Sequence, residues 1–343
     1  MKIRTGLCLW LLLGLTTQAQ AQEQKPISVS LEARADYQRD YVDGKSIKEH
    51  TGFKGNIINL LVKGDLGERF SYMYRQRLSG INKDHSFFDA TDWLYLSYHL
   101  NPQFSLAAGK WAVMTGGWEF DPAPIDVFQV YEFAYHFPCY EWGVWGTYET
   151  RSKHDHLILQ IIESPFQRGY NRQADEKGEM YAYNLVWSGH HGPFHPLCSA
   201  NMMEYEPGKF INYLCIGSRI DIGQKLKLQM DYMNRAAAHQ SFFFADCSLS
   251  GMVEYTPSDK VRLWGKASYD VNHTHNEADV ALKQGTEITR LGAGIEYMPL
   301  GDRHIRLHAH YSYSFGSNTT PDPFLHDRQS IANVGVTWRM KVL

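Results

Sequence analysis

Along most of the chain, apolar and polar residues alternate one by one. Near the C-terminus Ser330, Ala332, Val334, Val336, Trp338, Met340 and Val342 share one face, and Gln329, Asn333, Thr337, Arg339 and Lys341 the other. Residues 225–232 repeat this, with Leu226, Leu228, Met230 and Tyr232 against Lys225, Lys227, Gln229 and Asp231. Residues 305–313 do so again, with Ile305, Leu307, Ala309, Tyr311 and Tyr313 against Arg306, His308, His310 and Ser312. A period of two marks strands with one apolar and one polar side. It predicts strands near 27–36, 52–63, 69–79, 91–100, 103–112, 139–149, 155–163, 180–189, 194–204, 212–221, 225–234, 247–256, 260–270, 287–298, 304–314 and 329–340. That is about sixteen, an even number, each of a length that suits a tilted strand crossing a bilayer.

The connections sort into two kinds, in turn. Short ones lie at 64–68, 101–102, 150–154, 189–193, 222–224, 257–259 and 299–302. Long ones lie at 37–51, 80–90, 113–138, 164–179, 205–211, 235–246, 271–286 and 315–328. Periplasmic turns alternating with longer external loops are the pattern of outer-membrane barrels. The expected fold is therefore all-β: an antiparallel transmembrane β-barrel with its apolar faces against outer-membrane lipid. Apolar-face aromatics near strand ends, such as Phe70, Tyr72, Tyr255 and Tyr297 at one end and Tyr269, Tyr311 and Tyr313 at the other, predict two interfacial belts. The third long loop carries Trp118, Phe120, Phe128, Tyr131 and Phe133, apolar surface that needs burial. It is expected to fold back into the lumen, since a long connection of this kind inside a compact domain is usually functional.

Composition adds limits. Mean hydropathy is −0.41 and aromatic content 14%. A barrel with a polar lumen accommodates both. Lys2 and Arg4, the apolar run Leu7 to Leu15 and Ala19-Gln20-Ala21 read as a signal peptide over 1–21, leaving 22–343 as one barrel domain. The net charge is −3, and loss of Lys2 and Arg4 makes the mature chain more acidic, so nucleic acid is not an expected partner. Cys139, Cys198, Cys215 and Cys247 are too few for a disulfide scaffold; Cys198 and Cys215 fall on neighbouring strands and leave one bridge open, but free thiols are the expectation.

By strand phase the polar wall carries Arg34, Arg75, Arg77, Lys266 and Arg290 among a surplus of bases over Glu32, Asp36, Asp231, Glu254 and Glu296. A ring of arginine and lysine attracts anions. The third loop brings acids instead, Glu119, Asp121, Asp126 and Glu132, with Lys110 at its base. Acids on the loop facing bases on the wall would set a transverse field across a narrow constriction. The expected function is passive diffusion of small hydrophilic solutes with a mild anion preference, in a Gram-negative outer membrane.

The layout of the mature chain, and above all Gly109-Lys110 followed by Gly116-Gly117-Trp118 and an aromatic run, resembles the phosphate-selective porin O/P family in its Bacteroidetes-type form. The resemblance implies a sixteen-stranded barrel, a homotrimer and the passage of small anions. Phosphate-selective members line the constriction with loop lysines and an arginine ladder; here the loop is acidic apart from Lys110, and the last residue is Leu343 instead of an aromatic.

No sequence motif for a hydrolase, a metal site or a cofactor is present. His154/His156, His190/His191/His195 and His273/His275 fall in turns or loops and read as solvated. His310 and Ser312 share a strand face, but that face points to the lumen and away from lipid. Two alternatives to a porin stay open: a non-conducting barrel acting as a secretion or structural partner, and a barrel-embedded hydrolase.

Overall fold

The computed structural model describes residues 27–81, 86–173, 178–237, 240–275 and 278–343. The expected signal peptide, 1–21, lies outside the described residues. Seventeen strands form one sheet. One is the two-residue piece Lys45–Ser46, which caps the hairpin after the first strand. The other sixteen make the wall: β1 Ser28–Val42, β2 Gly52–Leu66, β3 Phe70–Arg77, β4 Thr91–His99, β5 Phe104–Ala112, β6 Tyr140–Glu149, β7 Asp155–Glu163, β8 Tyr181–Gly189, β9 Phe194–Glu206, β10 Lys209–Ile222, β11 Leu226–Ala237, β12 Asp246–Ser258, β13 Val261–Asn272, β14 Thr286–Tyr297, β15 Ile305–Ser317 and β16 Arg328–Lys341. Each pairs antiparallel with its neighbours in sequence, and β1 closes onto β16 from Ser30↔Lys341 to Val42↔Gln329. Closure leaves no unpaired edge, which a strand in lipid could not tolerate. Among the described residues no helix is long and apolar enough to cross a membrane.

The barrel is apolar outside and polar inside. Along β15, Arg306, His308, His310, Ser312 and Ser314 are buried while Leu307, Tyr311, Tyr313 and Phe315 are exposed. Aromatic pairs gather at both ends of the wall. Phe70–Tyr98 and Phe104–Tyr148 lie near the short turns, with ring centroids 4.9 and 4.7 Å apart; Tyr313–Phe315, at 6.0 Å, lies near the long loops.

Three local expectations meet the structure, and the first and third change. The connection expected over 205–211 is the tight turn Pro207-Gly208, because β9 and β10 run on to Glu206 and from Lys209. The Lys209–Glu206 ion pair at 2.7 Å and Gly208 at φ 74° close it. Second, all four described cysteines are free. Cys198 stands opposite Ile216 and Cys215 opposite Ser199, so the two thiols point to opposite faces and do not bridge. Third, the inside is not polar all round. Near the long loops Ala182, Met203, Ile211, Tyr213, Cys215 and Met233 turn inward from β8–β11 and pack with Tyr131, Phe133 and Phe137.

Candidate functional site

The connection from β5 to β6 spans 113–139, with a single 3-10 turn at Pro124–Asp126 and one short α-helix, α1, at Glu132–His136. Its first half is held by uncharged groups on the inner faces of β7 to β9 and by the Asp231 carboxylate on β11. Met114 N–H donates to Gln160 Oε1 (2.9 Å), and Asn201 Nδ2 donates to Met114 O (2.8 Å). Gly116 N–H reaches Ser199 Oγ (2.7 Å) and Gly117 N–H reaches Leu197 O (2.9 Å). Gln160, Asn184 and Asn201 link to one another across three strands, Asn184 at 2.8 Å from each neighbour. Asp231 on β11 then takes two backbone donors, Trp118 N–H at 2.9 Å and Glu119 N–H at 2.7 Å. Glycine is required at this approach. A Cβ on Gly116 would stand 2.6 Å from Ser199 N, and one on Gly117, at φ 94°, 2.9 Å from Cys215 Sγ.

The second half is held mainly by charge. Asp126 meets Arg306 at 2.5 Å and Arg339 at 2.7 Å, with Arg303 at 3.9 Å. Burial alone would raise the Asp126 carboxyl, but these arginines outweigh it and hold the group below the usual carboxylate range. Arg34 Nη1 donates to Val127 O (2.6 Å), Lys266 Nζ to Gln129 O (2.9 Å) and Arg290 Nη1 to Val130 O (3.2 Å). Glu132 N–H donates to Asp270 Oδ2 (2.9 Å), while its carboxylate accepts Phe324 N–H at 3.0 Å and Leu325 N–H at 2.7 Å.

The residues singled out from the sequence therefore separate. Arg34, Lys266 and Arg290 touch the segment. Lys266 also pairs with Glu119. Arg75 and Arg77 do not touch it: both bind Asp92, at 3.0 and 3.2 Å, and Arg75 stacks on Trp93 at 3.7 Å. They are not mid-strand either, since β3 ends at Arg77. Lys110 is a buried β5 residue whose Nζ donates to Phe88 O at 2.9 Å. Glu132 is fully buried and serves as a fastener between loops. Asp121 makes no hydrogen bond or ion pair among the described residues; only the charge of Arg219 acts on it across space. Its side chain is exposed; the protein nearby pushes its carboxyl up while Arg219 pulls it back.

The surplus of bases expected on the wall is smaller than phase suggested. Asp40, Asp92, Asp246 and Asp270 are also buried acids. A β-bulge between Arg75 and Gln76 turns Asp92 toward the arginines, and β1 runs past its expected end to include Asp40. Most wall cations are paired: Arg34 with Asp36, Arg262 with Glu254 and Glu296, Arg339 with Glu32. Arg290 is an exception, bound to Ser312 Oγ and a backbone carbonyl instead of a carboxylate.

Between the segment and the wall of β10 to β13 lies a cavity of about 330 Å³. Trp118, Asp121 and Gln129 line one side, Arg219, Lys227 and Arg262 the other. Among the described residues no group of histidine, cysteine and acidic side chains is arranged to hold a metal ion.

The fold is shared with known porins. An anion-selective porin from Comamonas acidovorans superposes with a TM-score of 0.63 at 9% identity, over 92% of this chain and 99% of that one. The trimer form of in-vitro folded OmpT, an outer-membrane protein of Vibrio cholerae, gives 0.60 at 12% identity, over 92% and 100%. Identities this low speak for the barrel alone. No curated protein matches the sequence. The model of the phosphate-selective porin O and P family, however, matches residues 27–208, more than half of the chain, and takes in the segment described above. The chain belongs to the phosphate-selective porin O and P family.

Proposed function

We propose that this outer-membrane porin of a Gram-negative bacterium passes small hydrophilic solutes by diffusion through a lumen narrowed by residues 113–138, with a mild preference for anions. The observation that carries the reading is the grip on that segment from opposite parts of the wall. Asp231 on β11 holds Trp118 and Glu119, while Arg339 on β16 and Arg34 on β1 hold Asp126 and Val127. A segment tied at both sides divides the lumen and leaves solutes the remaining passage. The anion preference draws support from Arg290, which makes no ion pair among the described residues, and from Arg219, Lys227 and Arg303, whose side chains keep solvent contact. It also accords with the anion-selective Comamonas porin.

The constriction is best assigned to Arg34, Lys266, Arg290, Glu119, Asp121 and Asp126. Arg75, Arg77, Lys110 and Glu132 are assigned to support. The reading includes a homotrimer, as in the Vibrio trimer form, and no chemical step. Ser312 Oγ is occupied by Arg290 Nη2 at 2.9 Å, and the His310 ring lies 5.6 Å from that of Phe128. A Ser–His pair buried this way is poorly placed to reach a lipid ester.

Planar-bilayer recording tests the reading. Steady ohmic steps are expected, and Arg219→Glu with Lys227→Glu shifts the zero-current potential toward cations. A silent protein would favour a secretion or structural barrel. Unshifted selectivity would remove the anion preference.

A further inference from the structure

The cavity beside the segment is lined by as many carboxylates as cations, so a purely anionic solute gains little net attraction there. Most of these charges are already committed. Glu119 holds Lys266, Glu254 holds Lys227 and Arg262, Asp126 holds Arg306 and Arg339, and Asp231 accepts two backbone N–H groups. Arg303 lies 3.9 Å from Asp126, and two opposite charges are less committed. Asp121, on the segment, has no ion pair among the described residues. Arg219, on β10, lies with its guanidinium 4.1 Å above the Trp118 ring, and its nearest carboxylate, Asp221, stands 3.4 Å from Nε. Stacking on an aromatic face fixes the guanidinium plane and leaves its edge N–H groups free to grip a carboxylate.

We propose that this cavity is a binding site for zwitterionic solutes, with the ammonium at Asp121 and the carboxylate at Arg219. The volume is at the small end of the range for pockets that hold small molecules, roughly 300–1,000 Å³. The inference rests on the porin reading and narrows it to a solute class.

The test uses the full protein in planar bilayers, with alanyl-alanine as the zwitterion. Acetyl-alanine supplies the anion alone and alaninamide the cation alone. Alanyl-alanine is expected to interrupt the open-channel current at concentrations about tenfold lower than either capped compound, the yield of one added charge-assisted contact. Asp121→Asn should abolish the advantage over acetyl-alanine, and Arg219→Gln the advantage over alaninamide. Heat-modifiable migration in gels confirms that each variant folds. A conducting channel interrupted equally by all three compounds, or variants that keep the advantage, would overturn the inference and leave the porin intact. A channel that never conducts would overturn both.

Discussion

The two flanks of the 113–138 segment are gripped in different ways. On β7 to β11 the wall offers amides, a hydroxyl and close-packed apolar groups: Gln160, Asn184, Asn201, Ser199 and the Met203–Tyr213–Met233 cluster. On β13 to β16 and β1 it offers Lys266, Arg290, Arg306, Arg339 and Arg34. The first flank works mainly by shape and by hydrogen bonds between uncharged groups, with the Asp231 carboxylate on β11 as an added acceptor. The second works by charge, whose strength depends on protonation and falls with ionic strength. The contrast shows how one connection can be rigid along its first turns and adjustable where it borders solute.

Four predictions press on that difference. The largest effect is expected at Gly117→Val. A side chain there meets Cys215 Sγ and forces a branched residue to φ 94°. Overpacking and strain together should destabilise the segment by about 3 kcal/mol or more, read as a fall in melting temperature in detergent and as noisy conductance. Next is Asp231→Ala, which strips the acceptor from two backbone N–H groups. We expect about 2–3 kcal/mol, unaffected by salt beyond the loss itself.

On the charged flank, Asp126→Ala should cost less, about 1–2 kcal/mol, because Arg306 keeps Glu296 at 2.7 Å and Arg339 keeps Glu32 at 2.8 Å. Here pH supplies a signature. The Asp126 carboxyl is held below its ordinary value, so its contribution is fully present above that value and is lost as pH falls through the folded one. Melting temperature should therefore drop in strong acid for the native chain, and Asp126→Asn should remove that component. The smallest effect is expected at Arg75→Gln with Arg77→Gln. Neither arginine touches the segment, and both already share Asp92. The zero-current potential should stay nearly where it was.

Strand period, strand number and the turns were legible in the sequence because lipid outside and polar groups inside enforce alternation. Pro207-Gly208 was not, since polar Glu206 and Lys209 look like loop residues until their cross-strand pairing is known. That the segment packs its aromatics against other parts of the chain could be read from Trp118, Phe120 and Phe133. Its anchors could not. Gln160, Asn184, Asn201 and Ser199 are single polar residues among apolar ones, and Asp231 accepts from residues more than a hundred positions away. Glu132 looked like a constriction acid and is a fastener, because its partners Phe324 and Leu325 belong to a loop nearly two hundred residues on. Phase put Arg75 on the correct face; it could not foresee the bulge that turns Asp92 toward it.

The central claim is that residues 113–138 occupy the lumen and set the size of the passage. Replacing 118–131 by a short Gly/Ser linker and recording single channels tests it most directly. The account predicts a severalfold rise in single-channel conductance, with ohmic steps retained. A folded variant whose conductance equals that of the native chain would contradict it.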